Sequence, residues 1–245
     1  MKRFLILPLL CLVALVSGAY AMDPNELLTT VDRNLNPQSY ESYRKLINIE
    51  PDGSKREYVL YTIKKGQDKV ASVFLQPSSD KGRATLRLGE NMWLNIPNVG
   101  KPVRITSLQS VTGGIFNNAD IMRLDFSTEY SAESSEDVEG GVLLHLKART
   151  DDVAYDRLEM IVDTKNNVPT EIKCLASSGM LIKTLTFKKL REFEGGRVRP
   201  AVMETVSPLN KGYKSIMIFA KVRSREFDDE IFTLNYLPKI DSLRK

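Results

Sequence analysis

The chain has few of the side chains that most enzymes use. Its 245 residues include one histidine, His145, and two cysteines, Cys11 and Cys174. The sequence contains no G-x-S-x-G nucleophile elbow, no H-E-x-x-H metal helix, no C-x-x-C pair and no phosphate-binding glycine loop. His145 alternates with Leu144 and Leu146, so we expect it to face solvent from a strand. These patterns predict a protein that is not an enzyme and that has neither a cofactor nor a metal ion.

An excess of one charge is also missing. Lysine and arginine total 35 residues against 31 aspartates and glutamates, and the formal net charge is +4. A nucleic-acid-binding protein needs a clustered basic face that neutralises phosphates. The near balance of charge therefore argues against a nucleic acid as partner.

Residues 1–21 have the pattern of a secretory signal peptide. Lys2 and Arg3 precede an apolar run from Phe4 to Val16, and an A-x-A cleavage site ends at Ala21. No later run approaches the ~18 apolar residues of a spanning helix. We expect cleavage after Ala21 and export to the periplasm of a Gram-negative bacterium, with full secretion as the alternative.

Cleavage leaves residues 22–245, a length that fits a single domain. Removal of two basic residues lowers the formal net charge from +4 to +2. Cys11 follows a leucine rather than a small residue, so we expect no lipid attachment. Cys174 would be the one remaining cysteine, which excludes an internal disulfide. Its position in the strand-like stretch "TEIKCLA" favours a buried thiol.

The first element of residues 22–245 is a predicted helix. Asp23 can cap it, Pro24 suits its first position, and apolar residues recur at helical spacing up to Leu35. Pro37 ends it. Short alternating runs then follow, separated by turn residues such as Gly195-Gly196. This succession predicts a mainly β, antiparallel meander that curls round its own apolar face, with the few helices as a lid.

Residues 106–130 interrupt the meander. Gly113-Gly114 is followed by apolar residues among polar neighbours. Two interpretations remain open: a mobile apolar lid over a cavity, or an ordinary connection that packs on the core. We expect Asp125 and Glu129 to be solvated, and the acidic stretch "SAESSEDVEGG" after them to be a solvated loop.

One stretch carries a family resemblance. "GENMWLNIPNVGKPVRI" places Gly89, Trp93 and Pro97 in a G-x-x-x-W-x-x-x-P strand and turn, followed by a basic strand. A signal peptide and an amphipathic helix come before it, and "DDEIFTLNYLP" near the end resembles a closing Asp-x-x-Phe-Thr segment. In this order the elements resemble the LolA-like family of periplasmic lipoprotein-sorting carriers, and its longer branch in particular.

The resemblance implies a fold and a function. The fold is a half-open, incomplete antiparallel β-barrel of about eleven strands, with an N-terminal helix and a helical lid. Its hollow, apolar inner side would bind acyl chains of a lipoprotein or another lipid for outer-membrane lipoprotein sorting or lipid transport. The implied partners are an inner-membrane exporter of the ABC or RND type and an outer-membrane acceptor. Burial of each CH₂ contributes ~0.8 kcal/mol, so one long acyl chain could gain on the order of 10 kcal/mol before association costs.

Candidate site residues follow from this resemblance and from the apolar strand pattern. The acyl-chain candidates are Phe74, Leu86, Met92, Trp93, Ile105, Ile115, Phe116, Ile121, Leu144, Met160, Leu185, Phe187, Met217 and Phe219. The family has a basic residue before the proline of an early strand, implicated in cargo transfer, where this chain has Gln76. The polar candidates to replace it are Arg83, Arg87 and Arg104. For Trp93 two interpretations stay open: it lines the cavity, or it anchors the first helix against the sheet without meeting a ligand.

A second class of function is also compatible with the sequence. The chain could be a non-carrier interaction module, either a sensor domain like the amino-terminal part of RseB or an accessory to a transport complex. Such a module would bind a protein through a sheet edge or the convex face.

Overall fold

The computed structural model describes residues 22–110 and 112–244. The predicted signal peptide lies outside the described residues. Within these two ranges, three α-helices and two 3₁₀ turns accompany the strands: α1 Pro24–Leu35, α2 Asn118–Ile121, α3 Phe126–Glu129, and the 3₁₀ turns Asp229–Ile231 and Leu237–Leu243. The strands are β1 Ser39–Ile49, β2 Lys55–Lys65, β3 Lys69–Gln76, β4 Ala84–Leu88, β5 Asn91–Asn95, β6 Val103–Ile105, β7 Tyr130–Val138, β8 Gly141–Ala148, β9 Arg157–Asp163, β10 Val168–Leu175, β11 Leu181–Phe193, β12 Arg197–Val206 and β13 Lys214–Ser224.

The strands form one antiparallel sheet, as the sequence predicts. Their order is β6-β5-β4-β3-β2-β1-β13-β12-β11-β10-β9-β8-β7. Among the described strands, only the step from β1 to β13 joins strands that are distant in sequence, and it places the first and last of them side by side in the middle of the sheet. The count of thirteen exceeds the eleven expected. The acidic stretch expected to be a loop is strand β7, a largely exposed edge strand that pairs with β8 alone, so it has no apolar face to reveal it.

The sheet is strongly curled. In its strand order β4 is third and β7 is thirteenth, a separation of about 48 Å in a flat sheet at ~4.8 Å per strand. Yet Arg87 of β4 forms a buried ion pair with Glu129, the residue before β7. The Thr150 hydroxyl, after β8, also donates to Glu90, between β4 and β5, at 3.3 Å. The curl brings the two ends of the sheet round one face, here called the inner face, and produces a half-open barrel.

Helix α1 lies on the inner face and starts as the sequence predicts. The Asp23 carboxylate accepts the backbone N–H groups of Asn25, at 2.9 Å, and Glu26, at 3.2 Å. This capping satisfies donors that the first turn leaves unpaired. The buried apolar side of the helix consists of Leu27, Leu28, Val31 and Leu35, and these residues join the main core on the inner face.

The opposite, outer face is covered by the C-terminal segment, residues 226–244. Its Phe227, Phe232 and Leu237 pack in a second core with residues of β2, β3 and β4. Beside this core, the fully buried Glu41 carboxylate accepts from Arg223 and Arg225.

The Glu41 group also fixes the end of the chain. Burial opposes ionisation of Glu41, but hydrogen bonds from Arg225, Tyr61 and Arg223 outweigh burial and lower its pKa below the usual value. Arg225 in turn donates to the backbone carbonyl of Leu243 at 2.8 Å. The C-terminal segment is thereby attached to β1 and β13.

Two further sequence expectations concern Cys174 and helix length. Cys174 is buried, as predicted, and burial raises the pKa of its thiol to about 12. Across residues 22–110 and 112–244, every helix is too short or too polar to cross a bilayer.

Candidate functional site

The interruption of the meander packs on the inner face. Residues 112–129, here called the lid segment, contain α2 and α3. The segment begins on the sheet, where the Thr112 carbonyl accepts from the Asn48 amide and the Tyr58 hydroxyl, both at 3.1 Å. Gly113 has a φ of +72°, and a side chain at Gly114 would collide with the Asn48 amide. The two glycines thus permit a close approach to β1 rather than marking a free loop.

Apolar side chains of the lid segment fill the centre of the inner face. Those buried in the main core are Phe116, Ala119, Ile121, Met122, Leu124 and Phe126. They share that core with α1 and with residues of β1–β3 and β8–β13. Of the two interpretations of this segment, packing on the core describes the structure, and the segment covers the face as a lid would.

Three ion pairs fasten the lid segment to three different strands. Lys64 of β2 lies 2.5 Å from Asp125, with the lysine side chain 1% exposed. Arg87 of β4 pairs with Glu129, and both are buried. Lys183 of β11 lies 2.5 Å from Asp120. The expectation that Asp125 and Glu129 are solvated is therefore wrong, because each meets a cation that projects from the inner face.

Asp120 is the most connected of these carboxylates. Its side chain is fully buried, and besides Lys183 it accepts from Arg123 at 3.1 Å and from the Tyr155 hydroxyl at 3.2 Å. It also forms a capping box with Asn117 at the start of α2. Lys183 further donates to the Ile115 carbonyl at 2.9 Å. One carboxylate therefore connects α2, the lid backbone and β11.

Asp32 connects the lid segment to helix α1. Its two carboxylate oxygens accept the backbone N–H groups of Phe126 and Ser127, each at 2.8 Å. These donors belong to the first turn of α3, so a side chain of another helix caps it. Burial outweighs these hydrogen bonds and raises the pKa of Asp32 from its usual 3.8 to about 6.

A small cavity remains between the lid segment, the end of α1 and the sheet. Its volume is about 40 Å³. Apolar wall residues include Phe187, Met203 and Phe219, and the guanidinium groups of Arg44, Arg123 and Arg199 also border it. A volume of 10–15 Å³ is about what one water needs, so the cavity has room for about three water-sized groups.

The hollow, acyl-sized interior expected from the sequence is not found in this conformation of the described residues. Ligand pockets commonly measure ~300–1,000 Å³, far more than the inner-face cavity, because the lid side chains occupy the space. A groove of about 420 Å³ does lie at the rim, between Leu27 of α1 and Val142 of β8. It is partly open and is bordered by Glu136 and Asp137.

Most predicted acyl-chain residues lie on the inner face. Those in or packed against the main core are Phe74, Phe116, Ile121, Leu144, Met160, Leu185, Phe187, Met217 and Phe219. Met92 of β5 lies opposite Arg87 of β4 and opposite Ile105 of β6. Met92 and Ile105 therefore share the inner face with Arg87, but they lie outside the main core. Ile115 is half-buried at the start of the lid segment.

The predictions for Leu86, Trp93 and Arg104 need correction. Strand alternation puts Leu86 and Trp93 on the outer face, where they pack with the C-terminal segment. Arg104 pairs with Trp93 in register and lies 5.6 Å from its ring centroid. Trp93 therefore packs away from the inner face, with the C-terminal segment and not with the first helix, so its packing partner differs from the one expected.

The three cargo-transfer candidates do not converge. Arg87 is buried on the inner face and paired with Glu129, whereas Arg104 lies on the outer face. Arg83 pairs with Asp80 and lies 5.4 Å from the Phe74 ring centroid.

The buried cations of the inner face were missed by the sequence reasoning. Lys64, Lys183 and Arg199 each occupy an inward position of a strand that also turns buried apolar residues inward. A cation in the same phase as those apolar residues was the available signal. This signal does not identify the carboxylate that pairs with the cation, because Asp125 lies 61 residues from Lys64 and Asp120 lies 63 residues from Lys183.

Comparison with known proteins places the chain in a family. A protein-family model with the description "Uncharacterized protein" matches residues 66–239, more than half of the chain. A search of curated proteins gave no match.

Three solved structures have the same fold. A LolA superfamily protein from Nitrosomonas europaea is 26% identical with a TM-score of 0.80, covering 89% of this chain and 100% of its own. A domain assigned to outer membrane lipoprotein sorting, from Vibrio parahaemolyticus, is 18% identical with a TM-score of 0.72, over 87% of this chain and 97% of its own. A DUF1329 family protein from Desulfovibrio piger is 19% identical with a TM-score of 0.74, over the same shares. The chain belongs to the LolA-like family.

Proposed function

We propose that the protein binds acyl chains of a lipoprotein or another lipid on the inner face, after the lid segment has moved away. The observation that carries this proposal is the apolar composition of the lid segment over the inner face. Beside helix α1, an apolar sheet face is covered by a segment of eighteen residues, 112–129, whose apolar side chains fill its centre where a ligand would lie. The names of two related structures, a LolA superfamily protein and a lipoprotein-sorting domain, are consistent with it.

The exchange of lid for ligand is close to balanced in apolar burial. Five large lid side chains would leave the core: Phe116, Ile121, Met122, Leu124 and Phe126. At ~1.5–3 kcal/mol for each, their exposure costs on the order of 10 kcal/mol. An acyl chain of fourteen to eighteen carbons regains a similar amount at ~0.8 kcal/mol per CH₂. Binding would therefore be reversible, which suits a carrier better than a store.

The rest of the assignment follows from the same proposal. Residues 22–245 act as one exported domain in the periplasm, in outer-membrane lipoprotein sorting or lipid transport. The domain binds and releases cargo without catalysing a reaction. An inner-membrane exporter of the ABC or RND type would load it, and an outer-membrane acceptor would receive the cargo.

The test combines co-purified lipid with a titration. The protein, expressed with its own leader, is extracted with organic solvent, and acyl species are identified by mass spectrometry. The delipidated protein is then titrated with a fluorescent acyl probe. We expect bound acyl species and saturable probe binding. Absence of both would refute the proposal.

A matched pair of variants locates the binding face. Phe187 of β11 borders the inner-face cavity, and Leu190 lies three residues along the same strand with 49% of its surface exposed. Phe187→Asp places a charge where the acyl chain would lie and should weaken probe binding strongly. Leu190→Asp makes the same change of charge at the surface and should leave binding unaltered. Equal effects would place the binding site elsewhere.

A second candidate function is supported by the open sheet. Among the described residues, β6 and β7 each pair with one neighbour only, so both edges can accept another strand. A sensor or transport-accessory module of the RseB kind would bind a protein partner there. A stable protein complex, isolated without lipid and lost when β7 is mutated, would favour this function over the carrier.

A further inference from the structure

Three guanidinium groups meet at the inner-face cavity. Arg44 projects from β1, Arg199 from β12, and Arg123 from the lid segment between α2 and α3. Only 6% of Arg44 and 3% of Arg199 is exposed. Both guanidiniums lie over the Phe219 ring, at 5.2 Å and 4.2 Å from its centroid. Two cations on one aromatic ring, with a third at the same cavity, concentrate positive charge at this place in the core.

Positive charge exceeds negative charge at this cavity. Of the described residues, Asp120 is the one carboxylate on its wall, and it is already paired with Lys183 and Arg123. Within residues 22–110 and 112–244, neither Arg44 nor Arg199 forms an ion pair with a carboxylate. Both are therefore charged groups without an opposite charge.

Neutral groups accept the hydrogen bonds of these two arginines. Arg44 donates to the Ile121 carbonyl at 2.7 Å, to Ser42 and to Tyr40. Arg199 donates to the carbonyl of Leu35 and, at 2.6 Å, to the Asn36 side chain. These contacts hold the guanidiniums in place at the ends of α1 and α2, but they do not neutralise them.

An uncompensated buried charge is costly. Transfer of an ion from water costs several kcal/mol unless a counter-charge is nearby. Burial, together with repulsion from Arg123, lowers the pKa of Arg44, and burial likewise lowers that of Arg199. A ligand that supplies negative charge here would offset this cost, so the site is better suited to an anion than to the water that fits it.

The space between the arginines suits a small anion. About 40 Å³ accommodates about three water-sized groups, which corresponds to the three heavy atoms of a carboxylate. Guanidinium groups bind carboxylates in paired, charge-assisted hydrogen bonds. The apolar walls formed by Phe187, Met203 and Phe219 would contact the first carbons of an attached chain.

We infer that Arg44 and Arg199, which project from the sheet rather than from the lid segment, bind a carboxylate, and that the ligand class of the inner face is the fatty acid, with its head group innermost. The inference rests on the proposed function, since the acyl chain occupies the face that the lid segment covers. The carboxylate recognition itself can be tested separately from chain binding.

The experiment compares ligands of one chain length on the wild-type protein. Hexadecanoate, hexadecanol and acetate are each titrated by displacement of a fluorescent acyl probe. We expect hexadecanoate to bind at least about tenfold more tightly than hexadecanol, as charge-assisted hydrogen bonds imply. Equal affinities would overturn the carboxylate site and leave the proposed function standing. Binding of neither would overturn both. If acetate also displaces the probe, a free carboxylate suffices for binding. If acetate does not displace the probe but hexadecanoate still binds more tightly than hexadecanol, the chain is required as well. Both results support the site.

Three variants then assign the preference to the cavity. Arg44→Gln and Arg199→Gln should each reduce the acid-to-alcohol ratio towards one. Arg197→Gln removes the same charge from the same strand as Arg199 but outside the cavity, and should keep the ratio. If a Gln variant fails to fold, Arg199→Lys retains the charge and should retain the acid preference at reduced strength. A ratio unchanged in the folded Arg44 and Arg199 variants would overturn the assignment.

Discussion

Substitution of Asp120 by asparagine should release the lid segment from the sheet. The change keeps the size of the side chain and removes its charge. Lys183, whose side chain is 4% exposed and whose ammonium lies 2.5 Å from the carboxylate, would keep the Ile115 carbonyl as a neutral acceptor. Removal of one partner of a buried ion pair typically costs about 3–5 kcal/mol, because the other charge stays buried. We expect Asp120→Asn to lower the free energy of unfolding by this amount.

The matched control is Glu57→Gln. Glu57 pairs with Lys45 at 2.8 Å, but the two side chains are 48% and 41% exposed. An exposed pair contributes about 0–1 kcal/mol, so the same chemical change should have little effect there. Urea unfolding of both variants measures the two differences in free energy.

Hydrogen exchange distinguishes local release of the lid segment from destabilisation of the whole fold. In Asp120→Asn, amide exchange should accelerate in residues 112–129 before it does so in strands β1, β11 and β13. Equal losses of stability in Asp120→Asn and Glu57→Gln, or uniform acceleration across the sheet, would refute the role of Asp120 as the main attachment of the lid.

Three further predictions concern other parts of the molecule. The pKa of Asp32 is raised from 3.8 to about 6, so its contribution to stability is complete below pH 3.8 and is lost as pH rises through 6. In urea unfolding, the stability of the wild type relative to Asp32→Asn should fall by up to about 3 kcal/mol between pH 4 and 7. A difference that stays constant with pH would contradict this. The lowered pKa of Glu41 has the opposite sign: its contribution is present above the usual pKa and is lost as pH falls through the lowered one. Glu41→Gln should therefore cost about 2 kcal/mol at pH 7 and less in acid, and limited proteolysis should then cut the C-terminal segment first; an uncut segment would argue against its attachment through Glu41. Trp93→Phe should leave acyl-probe affinity unchanged, because Trp93 faces the C-terminal segment. A large loss of probe affinity would indicate that Trp93 contacts the ligand.

Local sequence patterns predicted the elements whose cause is local. Asp23 and Pro24 define the start of α1 because capping involves residues two or three apart. Leu144 and Leu146 predicted the inward side of β8 because alternation is a property of any strand with one buried face. Strand β7 escaped prediction because an exposed edge strand has polar residues on both faces.

Long-range contacts decided the rest. Alternation requires Met92 and Trp93 to face opposite sides, but only the position of the C-terminal segment determines which side is inner. The ion pairs of the lid segment depend on the curl of the sheet, which brings Glu129, beside β7, to Arg87 of β4 although nine strands lie between them in the sheet order. The Arg44 and Arg199 cluster likewise forms only once β1 and β12 lie on either side of β13, a step that no local pattern encodes.

The most direct test of the central claim, that the lid segment occupies the place of an acyl chain, is a crystal structure with saturating hexadecanoate. The predicted result has the chain in contact with inner-face residues such as Leu185 and Met217, with Met122 and Phe126 of the lid segment displaced from the core. A chain bound in the rim groove beside Val142 or against the outer face, with residues 112–129 unmoved, would contradict the account.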